Sequence, residues 1–82
     1  MGYEYSLDRE AVTAFASCSP REQRRLLVAF EQAARHPFST GDSILPGEQG
    51  RENQLWDLGE FVITFWTDHA MRTVRIVTID RM

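Results

Sequence analysis

Hydrophobic and polar residues alternate most regularly in the last third of the chain. Between residues 53 and 80, three alternating stretches follow one another with short connections, as is typical of β-strands that have one buried face. Only Gly59 and Glu60 separate the first two stretches, and glycine at the first position of a two-residue loop predicts a type II′ hairpin. The pattern therefore predicts a three-stranded antiparallel meander.

The two-residue loop also predicts the register of the first hairpin. It places Trp56 opposite Ile63 and Leu55 opposite Thr64. Because successive side chains of a strand point to opposite faces, one face of the hairpin collects the large apolar residues. These are Trp56, Leu58, Phe61, Ile63 and Phe65. We expect this face to form the core.

A second connection, residues 68–71, joins the middle strand to the last one. A loop of two or four residues sets Phe65 opposite Val74 and Ile63 opposite Ile76, which pairs apolar side chains with each other. The other face of the sheet is then too apolar to be simply solvated, and we expect a partner to cover it, with the chain's own loop of residues 38–51 as the alternative. Its members are Leu55, Asp57, Val62, Thr64, Trp66, Thr73, Arg75, Val77 and Ile79.

Upstream of the meander, the periodicity predicts one strand and two helices. Residues 3–7 alternate as a short strand does, and residues 9–17 repeat small apolar side chains at helical spacing after Asp8 as the cap. Ser19 begins a second helix, in which Glu22 can complete a capping box.

Proline and glycine mark where the helical region ends. Pro37 prevents the second helix from continuing, and residues 38–51 hold three of the five glycines, which predicts a long loop. The element order is then β-α-α-β-β-β. We expect a single α+β domain over residues 1–82, in which a helical hairpin packs on an antiparallel sheet.

Composition excludes several classes of function. The net charge is −3, which argues against binding nucleic acid by charge alone, and all nine cationic residues are arginine. The sequence has no apolar run long enough to span a bilayer and no secretory start, so we expect a cytoplasmic protein without a membrane partner.

Residues with reactive side chains are sparse. No spacing of His, Cys, Asp and Glu predicts a metal site, and nothing predicts a cofactor. Cys18 is interpreted as a small buried hydrophobe and His69, beside Asp68, as a solvated turn residue.

Several segments together resemble a known family. They are the HPF at the end of the second helix, the loop from GD to GR, the stretch WDLGEFVITFWTD and the strand RTVRIVTI. In this order they are similar to the RelE/ParE superfamily, the small toxins of bacterial toxin–antitoxin modules. The resemblance implies the β-α-α-β-β-β fold and a cognate antitoxin as partner.

For the RelE branch, the resemblance implies metal-independent cleavage of messenger RNA on the ribosome, which represses translation. Arg51 and Arg81 match basic positions of these enzymes and are the candidate catalytic residues. Arg75 and Trp66 are the candidate substrate-binding residues.

The sequence also departs from the RelE pattern. Val62 stands where the family has an arginine, and we expect the aromatic acid or base beyond the last strand to be missing, since Met82 is the last residue. Catalysis is therefore expected to be weakened or lost. The alternatives are a ParE-like toxin that binds gyrase, a degenerate toxin that acts by protein binding only, or an unrelated small α+β interaction domain. The outer face of the sheet could also join two copies of the chain as a homodimer.

Overall fold

The computed structural model describes residues 2–38, 43–46 and 52–82, without the side chains of residues 43, 45 and 46. Along the chain the elements are β1 (Glu4–Leu7), α1 (Arg9–Ala16), α2 (Pro20–Arg35), β2 (Ser43–Pro46), β3 (Glu52–Asp57), β4 (Phe61–Asp68) and β5 (Thr73–Arg81). The strands form one sheet in the order β1-β5-β4-β3-β2. The predicted α+β fold, a helical hairpin on a sheet, is confirmed.

The sheet differs from the prediction at both of its edges. β1 runs parallel to β5, so the sheet is mixed and not purely antiparallel. The helical hairpin and the whole meander separate these two strands in sequence, which leaves room for the long crossover that a parallel pair needs. At the other edge β2 pairs with β3, although the sequence predicted a loop there. In β2 the two apolar residues Ile44 and Leu45 are adjacent and Pro46 follows them, so no alternation identified the strand.

Both helices lie on one face of the sheet. Leu26 and Phe30, one turn apart on α2, are 0% and 1% exposed, and Phe30 packs against Tyr5 of β1 and Phe15 of α1. Ala11 is fully buried on α1, where its small side chain allows the helix to approach β5 closely. We call the opposite face of the sheet, on which no helix of the described residues packs, the helix-free face.

The capping box at the start of α2 is confirmed. The Ser19 hydroxyl accepts a hydrogen bond from the Glu22 backbone N–H at 3.2 Å, and the Glu22 carboxylate accepts one from the Ser19 N–H at 2.9 Å. Asp8 occupies the cap position of α1 as predicted, but its side chain makes no capping hydrogen bond. The carboxylate accepts instead from Arg75.

The predicted register of the β3–β4 hairpin is confirmed. Trp56 pairs with Ile63 and Leu55 with Thr64. The left-handed φ of 93° at Gly59 is the conformation that the turn requires. Trp56 itself is only half-buried, in edge contact with Phe65 at 6.4 Å between ring centroids, and so lies at the margin of the core.

The predicted register between β4 and β5 is wrong. Phe65 pairs with Ile76, not Val74, because a four-residue turn, residues 69–72, connects Asp68 directly to Thr73. The Asp68 carboxylate stabilises this turn by accepting from the Met71 N–H at 3.1 Å.

A β-bulge then shifts the register once more. Between the Phe65–Ile76 and Thr64–Thr78 pairs, Val77 is an extra residue of β5. The bulge reverses which side chains point to the helices, so that Ile79, expected on the outer face, is 7% exposed in the core. The helix-free face is therefore less apolar than the sequence predicted.

None of the helices in the described part of the chain combines the length and the apolarity needed to cross a bilayer.

Candidate functional site

The helix-free face brings the two candidate substrate-binding residues together. Arg75 of β5 pairs with Trp66 of β4 on one side and with Ser6 of β1 on the other. The three side chains therefore form a row across the sheet, since paired residues share a face. Trp66 and Ser6 are half-buried.

The guanidinium of Arg75 is held by an acid. Its Nη2 donates to the Asp8 carboxylate at 3.0 Å, and the two side chains are 43% and 36% exposed. Arg75 Nε and Ser6 Oγ are buried without a hydrogen-bond partner. A buried donor without a partner costs free energy, so this row can gain stability from an acceptor brought by a ligand.

Arg81, a candidate catalytic residue, lies on the other side of the sheet. Its guanidinium pairs with Glu22 at the start of α2 and lies 5.1 Å from the centroid of the Phe61 ring. The hydrogen bond from Arg81 and the one from the Ser19 N–H lower the pKa of Glu22 to about 2. The hydrogen bond with Glu22 in turn raises the pKa of Arg81.

A second ion pair lies beside this one. Arg25 of α2 pairs with Glu60 in the β3–β4 turn, and its Nη2 lies 3.4 Å from the carbonyl oxygen of Leu58. The charge of Glu60 also acts on Arg81. Two arginines and two carboxylates thus meet where α2 begins.

The two candidate cations that the structure describes, Arg75 and Arg81, do not converge on one point. Arg75 and Arg81 are six residues apart on β5, or about 20 Å at the rise of an extended strand, and they face opposite sides. Arg51 lies outside the described residues. Val62 pairs with Asp80, so the position where the family has arginine presents an apolar group beside a carboxylate.

Ion pairs with carboxylates limit how the arginines of the described residues can bind an anion or take part in catalysis. Arg25, Arg75 and Arg81 each have a carboxylate partner, so a phosphate would have to compete with Glu60, Asp8 or Glu22. Guanidinium groups can bind an anion but remain protonated, and so cannot transfer a proton near neutral pH.

A cluster that the sequence did not predict lies at the β4–β5 turn. His69 Nδ1 and the Tyr3 hydroxyl share a hydrogen bond of 2.8 Å, and the Phe38 ring stacks on the imidazole at 4.9 Å with an interplanar angle of 9°. His69 is exposed in the turn, as predicted, and its ring also contacts Tyr3 and Phe38, which the sequence did not predict. The three residues are far apart in sequence, so no local pattern could have identified the cluster.

A cleft of about 370 Å³ opens beside this cluster. It lies past the C-terminal end of α2, and its lining includes Phe38, Glu52, Gln54, Trp66, Asp68 and His69. Within the described ranges no three His, Cys, Asp or Glu side chains are placed to hold a metal ion.

Comparison with known proteins gives matches among solved structures alone. No family model matches the sequence, and a search of curated proteins found no match. The toxin–antitoxin complex RelBE2 of Mycobacterium tuberculosis contains a chain that matches with a TM-score of 0.81 and 18% identity, over 100% of both chains.

Two further complexes give the same picture. The archaeal RelE–RelB complex of Pyrococcus horikoshii matches with a TM-score of 0.78 and 17% identity, over 99% of this chain and 96% of that one. The intact RelBE complex of E. coli matches with a TM-score of 0.74 and 10% identity, over 98% and 96%. Over its whole length, therefore, this chain has the fold of the RelE toxins.

Proposed function

We propose that the chain is the toxin of a toxin–antitoxin module and that its partner is an antitoxin protein. The observation that carries this proposal is the whole-chain match to a structure of a toxin–antitoxin complex, with a TM-score of 0.81 and full coverage of both chains.

The proposed activity is that of a RelE-like toxin, namely metal-independent cleavage of messenger RNA and repression of translation, with weakened catalysis. Support comes from the row of Arg75, Trp66 and Ser6, where a guanidinium with a buried unpaired Nε lies next to an aromatic ring. Such a pair suits a phosphate and a stacked base.

We expect weakened catalysis of RNA cleavage for an electrostatic reason. Cleavage by an RNA 2′-hydroxyl develops negative charge around the phosphate, and fixed cations directed at that charge supply much of the rate. Arg75 and Arg81 are paired with carboxylates and are too far apart to act on one phosphate. Arg51 is the remaining candidate, and its contribution is part of the proposal.

The test is translation in a cell-free bacterial extract, followed by mapping of cleavage in the translated message. We expect the wild-type protein to inhibit translation, and Arg75→Ala to reduce the inhibition by about tenfold or more, as loss of a charge-stabilising group does. Arg51→Ala and Arg81→Ala test the two candidate catalytic residues. Arg24→Ala, on the exposed side of α2, is the matched control and should retain full inhibition.

Two results would contradict this activity. Inhibition that survives all three substitutions would exclude the proposed site. An inactive wild type that still co-purifies with the product of the adjacent gene would support a toxin that acts by protein binding only, and a gyrase supercoiling assay would then test the ParE-like alternative.

The partner at the helix-free face is proposed to be the antitoxin. A homodimer through the same face is the other arrangement. With Ile79 in the core, the apolar area available to a second copy is smaller, which favours the antitoxin.

A further inference from the structure

The cleft past the end of α2 has a chemistry that the proposed toxin activity does not use. Two of the residues that line it are acidic, Glu52 and Asp68, and no arginine is among its described lining residues. Neither carboxylate forms an ion pair in the described part of the chain, unlike Asp8, Glu22 and Glu60. The described lining of the cleft is therefore negatively charged.

The C-terminal end of α2 lies beside the cleft, and Arg35 in its last turn offsets part of the helix dipole there. α2 ends at Arg35 with His36 as its C-cap, and Pro37, which follows, lines the cleft. The last carbonyl groups of a helix carry the negative end of its dipole, which favours a cation within the first few ångströms.

Aromatic rings supply the second part of the site. Phe38 is 78% exposed, and one of its faces is stacked on His69 while Tyr3 meets it edge-on. Trp66 lines the same cleft. Cations bind over aromatic faces, and a planar guanidinium both stacks on a ring and pairs with a carboxylate through two N–H groups.

We propose that this cleft binds an arginine side chain of a partner polypeptide. The guanidinium stacks on the exposed ring of Phe38 and donates to Glu52 and Asp68. Asp68 keeps its turn contact, since that contact uses one oxygen of the carboxylate. The volume of about 370 Å³ accommodates one long side chain, while the backbone of the partner remains outside. This inference stands on the cleft alone and requires no RNA cleavage.

The test uses two-dimensional NMR of the purified chain titrated with Nα-acetyl-arginine amide. The matched probe is Nα-acetyl-citrulline amide, which has the same length and a neutral head group. We expect the arginine probe to shift the indole N–H of Trp66 and the backbone amides of Thr67 and His69, with a Kd on the order of millimolar. The citrulline probe should leave these signals in place.

Three substitutions test the contacts. Glu52→Gln and Asp68→Asn together should weaken binding by about tenfold, because two partly exposed ion pairs are lost. Both changes conserve shape, and the spectrum itself reports whether the fold is retained. Phe38→Ala should also weaken binding, at little risk to the fold because this ring is mostly exposed. Glu10→Gln, which removes one acidic charge on exposed α1 surface, is the control and should bind as wild type does.

Three outcomes would overturn the proposal. They are equal shifts with the citrulline probe, unchanged affinity in the double variant, and no shift of the cleft signals up to roughly 50 mM probe, where a millimolar site would be nearly full.

Discussion

The carboxylate of Glu22 serves two neighbours at once. It accepts from the Ser19 N–H and so completes the capping box of α2, and it pairs with Arg81 near the end of β5. A single side chain thus joins the start of a helix to the last strand, 59 residues away in sequence.

We expect this contact to make stability depend on pH in the acid range. The pKa of Glu22 is lowered to about 2 in the folded protein from 4.5, mainly by the hydrogen bond from Arg81. A carboxyl group with a lowered folded pKa contributes stability that is fully present above about pH 4.5 and is lost as the pH falls towards 2. Denaturation with urea between these pH values should show this loss in the wild type.

The variant Glu22→Gln isolates the effect. Glutamine can still accept from the Ser19 N–H but carries no charge, so the free energy of unfolding should fall less steeply with decreasing pH than in the wild type. Glu10→Gln should show the wild-type slope. Parallel curves for the wild type and Glu22→Gln would mean that the ion pair with Arg81 does not form in solution.

At the scale of single elements, the β3–β4 hairpin depends on one glycine. Gly59 has φ of 93°, and a Cβ there would meet no atom within 4 Å, so the cost of a side chain is purely conformational. We expect Gly59→Ala to lower the free energy of unfolding by about 1–2 kcal/mol. Gly2→Ala is the control, because Gly2 is equally uncrowded and has no positive φ, and it should change stability by less than about 0.5 kcal/mol.

The bulge in β5 gives a second prediction about an element. Ile79 is 7% exposed beneath the helices, while Val77 is half-buried at the bulge. Ile79→Ala should therefore cost about 2–4 kcal/mol and Val77→Ala about 1 kcal/mol. The losses in the free energy of unfolding are measured by thermal or chemical denaturation. Similar losses for the two variants would mean that both side chains lie on the same face, which would contradict the bulge.

At the scale of the whole molecule, both helices cover the same face of the sheet. Trp66 and Arg75 lie in a row on the helix-free face, where the proposed antitoxin would bind. We expect the isolated chain to be monomeric in light scattering. The variant Trp66→Glu should reduce co-purification with the antitoxin by about tenfold or more, because the new charge would be desolvated only in the complex.

The control for this experiment is Arg24→Glu, which places the same new charge on the exposed side of α2 and should leave the complex intact. A dimer that grows with protein concentration and is lost in Trp66→Glu would instead assign the helix-free face to a second copy of the chain.

Some features were predictable because their causes are local. The capping box of α2 needs Ser19 and Glu22 only, and the β3–β4 register needs Gly59 between two alternating strands. The order of these elements and the burial of one helical stripe predicted the two-layer fold. In the capping box and the hairpin register the interacting residues lie close together in the chain, so the local sequence determines their geometry.

Other features depended on contacts that the tertiary structure alone creates. The predicted β4–β5 register was two residues out before the bulge and three beyond it, because the turn has no glycine, places Arg72 at a left-handed φ of 52°, and is followed by a bulge at Val77. The contacts between side chains at the candidate site also depend on residues that are distant in sequence. Arg75 meets Asp8 across 67 residues, and His69 meets Tyr3 across 66. Which acid neutralises which arginine, and which side chains surround a cleft, is decided when distant segments close on each other, and no pattern along the chain contains that information.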